Sequence, residues 1–149
     1  MTKANLQQQL KDAMFAKDEL KKSVLRMLLS AITYYEINKG GAGYEASEED
    51  VMAVIQNQVK QRKDSIQQFE QAGRQELADK EKQELELLQT YMPAQLGEEE
   101  IKKLVEEAIT STGATSQQDM GKVMGALMPK VKGKADGTLV STIVKESLQ

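Results

Sequence analysis

Residues 121–134 hold four lysines, Lys122, Lys130, Lys132 and Lys134, and no acid, in a chain whose formal net charge is -3. Lysines placed at alternate positions around a turn can follow a phosphate backbone, because each ammonium is a compact donor on a flexible stem. Gly121 and Gly125 stand four apart beside the first of them, and Gly133 and Gly137 bracket the last. On a helix, residues four apart share a face, and two glycines there lower helix stability while baring the backbone. Close approach by something else is the natural reason for such a pair. The first candidate is a neighbouring helix of the same bundle. The functional candidates are a phosphate backbone or a helix of another protein.

Most catalytic chemistry is excluded by residue type. The chain has no histidine and no cysteine, which removes the usual general base, the commonest metal ligands and every Ser-His or Cys-His nucleophile pair. Carboxylates remain, but Glu98, Glu99 and Glu100 stand at a helix start, and Glu106 and Glu107 fall between apolar positions, as a solvated face requires. Gly41-Ala42-Gly43-Tyr44-Glu45-Ala46 imitates a dinucleotide-binding fingerprint, yet it follows a helical pattern and is surrounded by Glu45, Glu48, Glu49 and Asp50, which would repel phosphate. The glycines near Lys122 and Lys134 lack the spacing of a P-loop. The expectation is a binding surface without a catalytic residue, a metal site or a cofactor.

The elements that must carry these residues are helical throughout. Glu, Lys, Gln, Leu and Ala dominate, aromatic residues make up 4% and there are two prolines, so the predicted class is all-α. Thr2 starts a first helix with Leu6, Leu10, Ala13 and Met14 on one face and Phe15 beside them. Asp18 caps a second, whose stripe runs through Leu20, Val24, Met27, Leu28, Ala31, Ile32 and Tyr35. Ser47-Glu48-Glu49-Asp50 is a capping box for a third, through Val51, Val54, Ile55, Val59, Arg62, Ile66 and Phe69, with a corner at Gly73 before a fourth that ends near Tyr91. Pro93 and Gly97 place a boundary between an N-terminal helical domain, 1–96, and a C-terminal one, 97–149. The latter is predicted as three helices at 98–110, 116–128 and 137–148, with Pro129 kinking or ending the second. Met120, Val123, Met124, Leu127, Met128 and Val131 fall at helical spacing, so the methionines belong first to the core, and Asp136 caps the last helix.

Lys60-Gln61-Arg62-Lys63 forms a weaker, secondary basic patch on the third helix, for which a solvated face paired with Asp64 is the plainer explanation. With no cysteine and no apolar run near 20 residues, composition points to a cytoplasmic protein that neither enters nor crosses a membrane. It fixes no oligomeric state.

The sequence resembles the YqeY family. In the C-terminal part the resemblance rests on Asp119-Met120-Gly121-Lys122-Val123-Met124-Gly125-Ala126-Leu127-Met128-Pro129, on Lys132-Gly133-Lys134-Ala135-Asp136-Gly137 and on Ile143-Val144-Lys145-Glu146. In the N-terminal part it rests on Leu25-Arg26-Met27-Leu28, on Lys60-Gln61-Arg62-Lys63-Asp64-Ser65-Ile66, on Ala72-Gly73-Arg74 and on Tyr91-Met92-Pro93-Ala94-Gln95-Leu96. The resemblance implies a C-terminal three-helix domain like the tail of the B subunit of the tRNA-dependent Asp/Glu amidotransferase, which helps to hold tRNA. It also carries the label of a carbon–nitrogen ligase with glutamine as amido-nitrogen donor, although the catalytic body of that complex has no counterpart here. Three functions follow as expectations: a stand-alone accessory protein that binds tRNA or another structured RNA, a component assisting amidotransferase subunits, and a protein adaptor using Met120, Met124 and Met128. On the first, Lys122, Lys130, Lys132 and Lys134 contact phosphates while Gly121, Gly125, Gly133 and Gly137 permit close approach.

Overall fold

A computed structural model describes residues 1–148. Among the described residues there are seven α-helices and no strand. They are α1 (Lys3–Phe15), α2 (Glu19–Gly40), α3 (Glu48–Gln71), α4 (Gln75–Gln89), α5 (Glu98–Thr112), α6 (Met120–Val131) and α7 (Gly137–Ser147), with one turn of 3-10 helix, Gln117–Asp119, leading into α6.

Side-chain caps fix the helix starts. The Thr2 hydroxyl accepts from the Asn5 amide while the Asn5 side chain takes the Thr2 N–H. Asp18 accepts from the Lys21 amide, Ser47 and Asp50 form a reciprocal box, and Asp136 accepts from the Thr138 amide. Each such cap satisfies a donor the helix cannot and contributes on the order of 1 kcal/mol. The corner expected at Gly73 is present, with φ at +70°, a conformation that side-chain-bearing residues rarely adopt.

The chain divides into two compact units, Met1–Met92 and Pro93–Gln149. The division lies four residues before the expected 96/97 boundary. Its physical reason is that Leu96 donates its amide to the Lys134 carbonyl at 2.8 Å and Gln95 its side-chain N–H to the Gly133 carbonyl at 3.0 Å, tying 95 and 96 to the second unit. In the first unit α1 packs on α2 and α3 on α4, around Leu6, Leu25, Leu28, Ile32, Ile55 and Leu88. In the second α5 packs on both α6 and α7, around Ile101, Val105, Val123, Leu127, Val140 and Val144.

The structure corrects several expectations. Met14 and Phe15 lie outside the core, Phe15 at 88% exposure, because α1 ends at the corner where they stand. Leu20 and Met27, assigned to the core stripe of α2, are exposed. Pro129 does not end α6, which runs on to Val131 and closes with the Lys132 amide donating to the Met128 carbonyl at 2.9 Å. Pro129 lies in the last turn of α6, on its exposed side, where a single helical hydrogen bond is lost.

The first unit also holds a polar network that the sequence does not announce. Asp50, 6% exposed, accepts from the Tyr35 hydroxyl at 2.8 Å, Lys39 Nζ at 2.5 Å, the Tyr44 hydroxyl at 2.6 Å and the Ser47 amide at 3.0 Å. Buried Glu36 accepts from Lys3 Nζ at 2.6 Å and the Ala46 amide at 2.9 Å. Together the two carboxylates fasten the segment between α2 and α3. Hydrogen bonds from Lys39, Tyr44 and Ser47 hold Asp50 well below its ordinary 3.8, and those from Lys3 and Ala46 lower Glu36 from 4.5.

Because both groups bind fewer protons folded than unfolded, their stabilisation is complete above about pH 5 and is lost as pH falls through the lowered folded-state values. The urea midpoint of the wild type is therefore expected to fall steadily from pH 5 to pH 3, and less steeply in Asp50→Asn. Equal slopes for both proteins would remove Asp50 from the account.

Candidate nucleic-acid interface

α6 presents two faces. Val123, Leu127 and Val131 are buried, with Met120 and Met124 half-buried against the same core, while Gly121, Lys122, Gly125, Ala126, Met128, Pro129 and Lys130 are exposed. Gly121, Gly125 and Pro129 follow one another at four-residue steps along the exposed side. A side-chain carbon built on Gly121 or Gly125 would meet nothing within 4 Å. Among the described residues the bundle packing expected to explain this pair is therefore absent: the glycines leave a strip of helix backbone open to solvent, and no neighbouring helix fills it.

The lysines stand around that strip. The Lys122 side chain is 73% exposed and its Nζ lies 3.9 Å from Asp119; Lys130 is 53% exposed, 3.6 Å from Glu107 of α5. Both are loose surface pairs that a competing anion can displace. Lys132 and Lys134 are exposed on the turn after α6. Gly133, between them, is buried with φ at +79°, so it shapes the turn and is not itself an open surface. Gly137 is exposed as the first residue of α7, with nothing within 4 Å of a side-chain carbon. Asp119 is held below its ordinary 3.8 mainly by the Thr115 amide at 3.0 Å, so its charge is spent on the loop before α6.

Of the α6 methionines, Met128 alone is exposed, at 38%. Met120 and Met124 pack on the core, which removes the three-methionine face that a protein adaptor would need.

The secondary patch does not form. Lys60 and Lys63 are exposed on α3, but Arg62 is 4% exposed and turned inward to Glu84 and, at 3.0 Å, Glu81 of α4. At 100° per residue, Arg62 shares the buried side of α3 with Ile55, Val59 and Ile66, whereas Lys60 and Lys63 point away. No pairing of this patch through Asp64 is needed to explain it.

Asp50 is saturated by four donors that keep it ionised, and Glu106 and Glu107 are exposed. Among the described residues no group of three or more His, Cys, Asp or Glu is placed to hold a metal ion, and no helix is long and apolar enough to cross a membrane. A shallow depression on α5 is lined by Lys103, Glu106, Glu107, Thr110 and Ser111, and so borders the acid that pairs with Lys130.

Comparison with known proteins identifies relatives over nearly the whole chain. The family described as Yqey-like protein matches residues 3–148. Relatives named altered inheritance of mitochondria protein 41, mitochondrial, include one from Vanderwaltozyma polyspora, 41% identical over 87 residues, which are 58% of this chain and 46% of that protein. The chain thus spans less than half of that relative's length. Another, from Pyrenophora tritici-repentis, is 32% identical over 146 residues, covering 95% of this chain and 77% of the relative. A third, from Saccharomyces cerevisiae, is 33% identical over 147 residues, covering 92% and 78%. These names overturn the cytoplasmic expectation, since the relatives are named as mitochondrial proteins. Lack of cysteine separates reducing from oxidising compartments only, and a reducing organelle interior leaves the same mark on composition.

Proposed function

This chain belongs to the Yqey-like protein family, and from that premise we propose that it is an accessory protein whose C-terminal unit binds tRNA or another structured RNA across α6. The observation that carries this reading is the open strip at Gly121 and Gly125, with no atom within 4 Å of where their side chains would stand, flanked by exposed Lys122 and Lys130.

A bare helix strip lets a sugar–phosphate backbone come nearer than any side chain would allow, and the lysines supply charge on either side of it. Lys134 and Lys132 extend the charge along the following turn. Such a surface reads shape and backbone and not base sequence. With acids 3.6 Å and 3.9 Å from Lys130 and Lys122, affinity is modest and falls steeply with salt.

The test is tRNA binding by the wild type and by Lys122→Glu/Lys130→Glu at two salt concentrations. The variant is expected to bind more weakly and to lose about two units of the salt slope, one per phosphate contact. Binding of equal strength and equal slope would remove these lysines from the interface.

A further inference from the structure

α2 carries a second periodicity on the side that faces away from its own core. Leu20, Met27 and Tyr34 recur every seven residues, and so do Ser23, Ser30 and Ile37, which together make the alternating three- and four-residue steps of a helix–helix seam. All six are exposed, Leu20 at 39%, Met27 at 45%, Tyr34 at 71% and Ile37 at 60%. A solvated helix face has no use for a seven-residue apolar repeat, whereas a docked helix does. Arg62 Nη2 reaches Met27 Sδ at 3.8 Å and so orients this side chain from behind.

We propose that this face of α2 docks a second copy of the same chain, α2 against α2, antiparallel about a two-fold axis between Leu28 and Leu29. The order of side chains along the seam is what selects this occupant. In that register Ser23 meets Tyr34 of the second copy, Ser30 meets Met27 and Leu20 meets Ile37, so each small residue receives a large one. A parallel pairing in register would set serine on serine, leaving voids, and Arg26 on Arg26. The antiparallel register sets Arg26 opposite Ala31 and opposes the helix dipoles, so no cation faces a cation.

Charge does not oppose the pairing at the ends. Ile37 and Tyr34 border a shallow groove of about 450 Å³ between α1 and α2 whose rim includes Lys3. Lys3 is already paired with Glu36 and Glu19 with Lys22, so neither sets an uncompensated charge against the second copy. A seam of this length, roughly 26 Å, buries on the order of 500 Å² per copy, below the usual 800 Å² of a stable complex. The dimer is accordingly weak and concentration-dependent.

The absence of cysteine makes the register directly testable in the full chain by single introduced thiols. Ser30→Cys is expected to cross-link to itself under mild oxidation, because it lies beside the axis. Ser23→Cys, equally exposed, stands far from its own copy and is expected not to. Sedimentation velocity should show a dimer growing with concentration in the wild type, and Tyr34→Glu/Ile37→Glu, whose sites are exposed enough to leave the fold unchanged by circular dichroism, should weaken it by at least about tenfold. A wild type that stays monomeric at the highest soluble concentration, or Ser23→Cys cross-linking as readily as Ser30→Cys, overturns the proposal.

Discussion

Arg62→Met is expected to destabilise the N-terminal unit by about 3–5 kcal/mol, read as a lower urea midpoint at unchanged slope. Arg62 is 4% exposed and holds Glu84, 6% exposed, and Glu81. Its Nε has no hydrogen-bond partner, so the guanidinium is already incompletely satisfied. What makes its loss severe is the carboxylate left behind. Glu84 would be left buried with no cation beside it, whereas Glu81, with a side chain 25% exposed, can turn to water. The double change Arg62→Met/Glu84→Leu removes both buried charges and is expected to recover most of the loss, since a buried pair often contributes little more than apolar packing of its size. A single Arg62→Met variant within about 1 kcal/mol of wild type would show that Glu84 finds solvent or another donor.

The second large effect runs in the opposite direction. Gly125→Ala is expected to stabilise the C-terminal unit by about 1 kcal/mol, because a helix-interior glycine is replaced where nothing obstructs the new methyl group. Gly121→Ala adds less, since it stands in the first turn, where fewer helical bonds depend on it. The same open space accepts leucine, so Gly121→Leu/Gly125→Leu should fold at least as well as the wild type. It should nevertheless bind tRNA at least about tenfold more weakly, because the side chains occupy the strip the backbone would reach. Stability gained together with binding lost is the mark of glycines kept for an approaching ligand and not for packing. Loss of stability on either substitution would mean that something within the unit does press on that face.

These two cases also show what the sequence made legible. Caps at Thr2, Asp18, Ser47 and Asp136, and the corner at Gly73, depend on neighbours in the chain and could be read directly. Arg62 is legible too: its spacing from Val59 and Ile66 sets it on the buried stripe of α3, a geometry that outweighs its nearness in sequence to Lys60 and Lys63. The Asp50 network was not, since Tyr35, Lys39 and Tyr44 meet it only when α2 returns on α3; the i, i+4 pair Tyr35 and Lys39 near the acidic start of α3 was the signal available. The exposure of Leu20, Met27 and Phe15 likewise depends on which helices cover α1 and α2, and periodicity alone states only that a face is apolar. For α6, the pattern located the glycines, and the fold supplied what the pattern lacked, that no helix covers them.

The account of α6 as an RNA-binding face is tested most directly by mapping backbone amide chemical shifts of the full chain as tRNA is added. The predicted result is a set of salt-sensitive changes at Gly121, Lys122, Gly125, Lys130 and Lys134, with the amides of α1 to α4 unmoved. Changes confined to residues 1–92, or none at concentrations where tRNA binding is independently detected, would contradict it.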